Sequence, residues 1–257
     1  MNRHLTNRRL LASLAAVTLV LAACGSDDDS TSETTAAGEA TEEVTEETTA
    51  TETTEEMVAE TTAPEVEEAA PAFDGELVGT FSIDDAVCGT ADVSGSYFRM
   101  LQPDGNYIPN ADSACVDTTY SGLTAGADGG LVTGAYQAAP DPAFDAAGNA
   151  TADSIFAPVP FFGVAFAGAT DPAEAMPMLV ATDGELTGDL AAFTAYYGGG
   201  NFNQGAPKPD GSGEAPTGTI DPETGAYVLE WTSLISGGSF DGFTGVWHLE
   251  GTFTPNS

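Results

Sequence analysis

The chain has 257 residues, of which 40 are acidic and only five basic, for a formal net charge of −35. So few Lys and Arg cannot displace the counterions of a phosphate backbone, so nucleic acid is not expected as a partner, and anionic membrane surfaces and phosphate ligands are disfavoured. Cations are the favoured counterpart, and such acidity also suits a protein in salty surroundings.

The first residues read as an export signal. Arg3, Arg8 and Arg9 make a positive start, residues 10–21 an apolar run of 12, and Ala22 and Ala23 a small-residue pair ahead of Cys24. The apolar run is too short to span a bilayer, and no later segment reaches the 18 or so apolar residues a span needs. The run Leu21-Ala22-Ala23-Cys24 resembles the lipobox of bacterial lipoproteins. That resemblance covers only the first 25 or so residues. It implies a diacylglyceryl group on the thiol of Cys24, cleavage ahead of it, and a mature chain held on the outer side of the cell membrane. Each buried CH₂ would contribute about 0.8 kcal/mol, and two or more chains anchor stably where one does not. The alternative is a plain secretory signal with an incidental Cys. Asn7-Arg8-Arg9-Leu10-Leu11 partly resembles a twin-arginine signal, which leaves the export route open between the general and twin-arginine systems.

Residues 24–72 carry Cys24 and then a Thr-, Glu- and Ala-rich stretch. Beyond Cys24 the stretch has 3 Asp and 13 Glu, no Lys, no Arg and no aromatic residue. With so little to bury it cannot offset its ordering entropy, so a disordered acidic stalk is expected. A helix competes, because Glu and Ala favour one, but Thr does not and stacked Glu residues repel. As a flexible chain the stalk would span roughly 35–40 Å, enough to hold a domain off an anionic lipid surface. Its Thr and Pro are also compatible with O-linked sugars.

Residues 73–257 hold every aromatic side chain, 13 Phe, 7 Tyr and 2 Trp, and are long enough for one domain with a substantial core. Here 24 acids face only Arg99 and Lys208. Short apolar runs alternate with Gly, Pro and six Asp-Gly pairs, at 74, 104, 128, 183, 210 and 241. Such pairs are turn signals, because Gly accepts positive φ and Asp caps its own turn. Strands are expected over 76–83, 97–101, 131–136, 161–166, 178–181, 185–190, 193–197, 217–220, 227–232 and 245–253. Residues 138–160 read as a long loop and 171–175 as one short helical turn. Tyr227, Leu229 and Trp231 share one strand face, as do Trp247, Leu249, Gly251 and Phe253. Asp221 to Gly225 reads as the turn of a hairpin. Many short strands at this spacing predict an all-β antiparallel sandwich or barrel-like domain.

With Cys24 assigned to lipid, Cys88 and Cys115 remain as an even pair in an oxidising compartment, which predicts a disulfide. A two-Cys metal site is the alternative, but it lacks nearby His or Cys partners. Catalytic residue types are scarce, and no nucleophile elbow, phosphate loop or His-Glu-x-x-His motif is present. If 227–232 and 245–253 pair, Glu230, His248 and Glu250 lie on the face opposite the tryptophans. That arrangement suits a metal or an acid–base pair, or else a cross-strand salt bridge. Asp104, Asn106, Asn110 and Asp112 form one oxygen-rich run and Asp141, Asp145, Asn149 and Asp153 another. Both suit Ca²⁺ as a cofactor, and both also suit ordinary turns. Tyr196, Tyr197, Asn201, Phe202, Asn203 and Gln204 combine aromatic rings and amides around three glycines, as sugar sites do, or else form a strand end and loose loop. Three functions stay open: a non-enzymatic module binding an envelope ligand or protein, an envelope glycan hydrolase using paired carboxylates, and a purely structural surface module.

Overall fold

The computed structural model describes residues 73–90 and 92–256; the signal segment, Cys24 and the stalk lie outside the described residues. The described chain is all-β. Its strands are β1 (Gly75–Leu77), β2 (Gly79–Ser82), β3 (Tyr97–Leu101), β4 (Ser121–Gly122), β5 (Gly130–Thr133), β6 (Val159–Phe161) and β7 (Val164–Thr170). They continue with β8 (Met178–Thr182), β9 (Glu185–Asp189), β10 (Phe193–Tyr197), β11 (Gly200–Asn203), β12 (Thr217–Ile220), β13 (Ala226–Leu234) and β14 (Thr244–Pro255), with a 3₁₀ turn over Gly238–Phe240. Among the described residues no helix is long and apolar enough to cross a membrane.

A ten-stranded antiparallel sheet runs β1-β8-β9-β12-β13-β14-β2-β5, with β3 on the far half of β14 and β4 beyond it. β1 and β2 are one run broken at Val78, so the sheet begins and ends on nearly the same strand and all but closes into a barrel. Thr133 holds the break. Its hydroxyl donates to the Leu77 carbonyl (2.6 Å) and accepts the Gly79 N–H (3.2 Å), so the strand bends without stranding buried backbone groups. Strict alternation on β13 and β14 builds the interior. Tyr227, Leu229, Trp231, Trp247, Leu249 and Phe253 are buried, while Glu230, Thr232, Thr252 and Thr254 face out. Gly251 interrupts this row of large side chains because a Cβ there would meet the Ser82 carbonyl oxygen.

A second antiparallel sheet, β11-β10-β7-β6, packs against the β3–β14 end of the first. Phe156, Phe166 and Phe193 meet Trp247 across the junction, with ring centroids 4.9–6.3 Å apart. The outer side of this sheet is covered by the 138–160 segment, where Ala150 and Ala152 pack on Ala167 and Ala169 beside Phe144 and Tyr196. Three two-residue hairpins share one turn geometry with both central residues at positive φ: Phe162-Gly163, Asp183-Gly184 and Gly198-Gly199. Positive φ is also found at the glycine of every one of the six Asp-Gly pairs.

Four expectations are corrected. The 76–83 run is two strands, because β1 pairs with β8 while β2 pairs with β14 and β5. The 161–166 run is a hairpin, because Gly163 turns the chain back between β6 and β7. Residues 171–175 make a hydrogen-bonded turn and no helix; the Asp171 carboxylate accepts the Ala173 N–H and its carbonyl accepts the Glu174 N–H. Residues 200–203, expected as loop, are the edge strand β11.

Candidate functional site

The Glu230–His248–Glu250 cluster is built by the β13–β14 ladder, in which Glu230 and His248 are direct cross-strand partners. His248 Nδ1 lies 2.7 Å from Glu230 and Nε2 2.8 Å from Glu250, and the ring stacks on Tyr97 at 4.5 Å and 5°. The other oxygen of Glu250 accepts the Gly95 N–H. Both ring nitrogens thus face a carboxylate oxygen at hydrogen-bond distance, so each is already engaged with a side chain of the protein. The arrangement is that of a cross-strand hydrogen-bonded clamp. His248→Phe, which keeps the stack on Tyr97 and removes both hydrogen bonds, is expected to lower stability by about 1 kcal/mol in a urea titration. A zinc-dependent rise in melting temperature of the unaltered chain would contradict the clamp.

The two oxygen-rich runs are engaged with their own turns. Asp104 accepts the Asn106 N–H, and Asp145 accepts the N–H groups of Ala147 and Asn149 as well as the Asn149 side-chain amide. These bonds hold both carboxyls below the usual range, chiefly through the Asn106 backbone for Asp104 and the Asn149 side chain for Asp145. Asn110 is buried, donating to Ser121 and the Pro160 carbonyl and accepting the Asp112 N–H. The structure does bring Asp112 of one run beside Asn149 of the other in a shallow dent near Gly163. Each is already bonded there, Asp112 to the Gly163 N–H and Asn149 to the Ala165 N–H. Asp141 precedes a cis proline and Asp153 contributes its carbonyl to the Ala127 N–H. Among the described residues no group of three or more His, Cys, Asp or Glu side chains is placed to hold a metal ion.

The aromatic–amide run 196–204 is split by strand alternation. Tyr196 faces the alanine cluster on the outer side and Tyr197 the space between the sheets. Asn201 is exposed on β11. Asn203 ties the chain to itself, donating to the Ala191 carbonyl and accepting the Gly205 N–H. Gln204 is only 2% exposed and is the polar link between the tryptophans. Its backbone carbonyl accepts Trp231 Nε1 (2.9 Å) and its side-chain oxygen Trp247 Nε1 (3.3 Å). These amides serve the core rather than a sugar.

Between the sheets lies a cleft. Phe98, Met100 and Trp247 form its floor on the large sheet. Phe161, Phe166 and Ala195 form one wall on the small sheet, and Tyr197, Phe202 and Phe240 close toward the mouth. Gln204 and Ile235 complete the lining, which is otherwise aromatic or aliphatic, around a cavity of about 40 Å³ within about 430 Å³ of space that includes the mouth. Burial is the main cause, and the nearby Asp112 charge a further one, that push the Tyr197 phenol up. Of the residues lining this space the sequence singled out Tyr197, Phe202 and Gln204 as binding candidates. The missing signal was at Phe162-Gly163, where an aromatic–glycine pair turns a hairpin and delivers Phe161 to the cleft and Phe162 to its rim.

Neither basic side chain of the domain lines this space. The Arg99 guanidinium lies 3.3 Å over the Tyr107 ring and 4.0 Å over Tyr120, and donates to Thr119. Lys208 Nζ donates to the Asn203 carbonyl. Compared with known protein families, with curated proteins and with solved structures, the chain has no match.

Proposed function

We propose that this chain is a lipid-anchored extracytoplasmic lipoprotein whose β domain is a non-enzymatic binding module of the cell envelope. The anchor is Cys24, the acidic stalk of residues 25–72 spaces the domain from the membrane, and the ligand is received in the cleft between the two sheets. The observation that carries the binding role is that cleft: a concave, largely aromatic space with an opening. The Cys88–Cys115 disulfide supports an oxidising location. A glycan hydrolase would place two carboxyl groups about 5–10 Å apart across such a space. The lining of this cleft includes no carboxylate, and the acids beside its mouth, Asp112 and Asp241, accept the Gly163 and Gly237 N–H groups.

Two experiments test the parts separately. Cys24→Ser is expected to move the protein from the membrane fraction to the soluble one, and the intact mass of the unaltered chain should carry lipid on residue 24. A variant that stays in the membrane fraction would remove the anchor from the proposal. For binding, the indole N–H of Trp247 is the reporter, because Trp247 floors the cleft and bonds Gln204. A pool of small molecules, including sugars, amino acids, short fatty acids and aromatic alcohols, should shift that signal in a ¹H–¹⁵N spectrum with at least one member. A pool that leaves it unmoved, or that the protein hydrolyses, counts against the binding module.

A further inference from the structure

Resting on the binding-module reading, we propose that the cleft takes the hydrocarbon ring of a small, uncharged molecule, and that Phe162 is a ligand-contacting residue at its rim. The first observation is the lining. The cavity of about 40 Å³ has room for a few waters, yet Gln204 and Tyr197 are the only side chains of its lining that carry oxygen, so water there finds few hydrogen-bond partners. A cavity of this size takes only the leading edge of a ring, since benzene is enclosed whole by a cavity of about 150 Å³, so the ring meets Phe98, Phe161, Phe166 and Trp247 inside and stands in the mouth beyond them. Peptides and sugar chains, which bring many polar groups, have little to pair with.

The second observation is charge. Placing an ion in a space without a partner is strongly unfavourable. The domain has two bases, and both are committed: Arg99 between two tyrosine rings, and Lys208 on the Asn203 carbonyl. At the mouth, Asp112 lies near Tyr197, and Asp241 follows Phe240 and accepts the Gly237 N–H. A carboxylate or phosphate head would meet acids and no cation, so fatty acids and anionic lipids are poor occupants and an uncharged molecule is favoured.

The third observation is independent of the cavity. Phe162 adopts φ 46°, a left-handed conformation uncommon for a bulky side chain. The equivalent turns use Asp183-Gly184 and Gly198-Gly199, residues that take this geometry readily. Here an aromatic residue stands in that place, 39% exposed, with its ring 4.9 Å from Phe161 and 5.5 Å from Phe240. Phe161 and Phe240 both line the cleft, so Phe162 extends its aromatic wall outward. Backbone strain of this kind concentrates where a side chain is needed for contact.

The test uses the full mature chain carrying Cys24→Ser, with benzyl alcohol and benzoate as probes sharing one ring and differing in charge. Calorimetric titration should show benzyl alcohol binding, with benzoate at least about tenfold weaker. Ala195→Leu, which fills the cleft from its wall, should abolish binding. Phe162→Asn should weaken binding several-fold while leaving the melting temperature equal or higher, because Asn tolerates the left-handed turn. Should Ala195→Leu fail to fold, Phe162→Asn still decides the matter, since a merely structural Phe162 would change stability and not affinity. Benzoate binding as tightly as benzyl alcohol, or benzyl alcohol binding equally to Phe162→Asn, would overturn the proposal. So would uptake of the chain by phosphatidylcholine vesicles without benzyl alcohol binding, which would make the rim a lipid contact. If benzyl alcohol fails while another member of the pool moves the Trp247 signal, the ligand class is wrong and the binding module stands.

Discussion

Trp247→Ala is expected to destabilise the domain by about 3–5 kcal/mol, the range for emptying a buried indole site. Trp247 is 1% exposed and is the contact shared by both sheets. It stacks on Trp231 of β13 at 5.7 Å and 10°, tilts against Phe98 of β3 at 4.6 Å, and meets Phe193 of β10 at 4.9 Å. Its removal withdraws those contacts together and leaves the Gln204 side-chain oxygen without its indole donor. The small sheet is bound to the large one largely through these rings, so neighbours on either side cannot close the gap without shifting a strand. Urea titration should report the loss as a lower midpoint at unchanged slope, and a thermal scan as a fall of roughly 2–4 °C per kcal/mol for a domain of this size. A loss below about 1 kcal/mol would place Trp247 among the tolerant core sites and would mean that the sheets are joined elsewhere.

The β13–β14 pair was legible because its signal is local. Tyr227, Leu229 and Trp231 alternate with Val228 and Glu230, Trp247 and Leu249 with His248 and Glu250, and period two on both strands fixes which residues share a face. The six Asp-Gly turns were legible for the same reason, since the conformation is a property of the pair itself. The cleft was not legible. Its walls come from β3, β6, β7, β10, β11, β14 and the 3₁₀ turn at Gly238–Phe240, and no spacing along the chain relates Phe98 to Phe161 or Phe240. Asn203 misled for a related reason, whereas Gln204 does line the cleft but with its amide oxygen bonded to Trp247. An amide reads as a ligand group from its chemistry alone, and only the fold shows that backbone groups and indoles already occupy it. Phe161 to Phe166 misled because two short strands and a tight turn have the same composition as one longer apolar strand.

Replacing both partners of the Cys88–Cys115 bond with Ala is expected to lower stability by about 3.5 kcal/mol, the chain-entropy value for a loop of this length. The cysteines are 27 residues apart in sequence and 4.9 Å apart at Cα. The bond fastens the segment after β2 to the loop before β4, a region otherwise held by backbone bonds such as Val116 N–H to the Cys88 carbonyl. Cys115 is buried, but Val87 and Val116 beside the two cysteines are 66% and 64% exposed, so the flanks of the crosslink add little apolar burial. Loss of the bond therefore has few local contacts to fall back on. Urea titration of the unaltered chain with and without reductant, beside the double variant, separates the contributions. The unaltered chain should lose about as much stability on reduction as the double variant has lost already, and the double variant should ignore the reductant. A double variant as stable as the parent would show that backbone bonding alone holds the region. The same comparison bears on export. A chain without residues 1–23, made in a reducing compartment, should match the double variant, and the parent value should return on oxidation in vitro. If residues 1–24 export the chain as proposed, that result would tie the stability of the domain to an oxidising compartment, a link that neither the fold nor the signal makes alone.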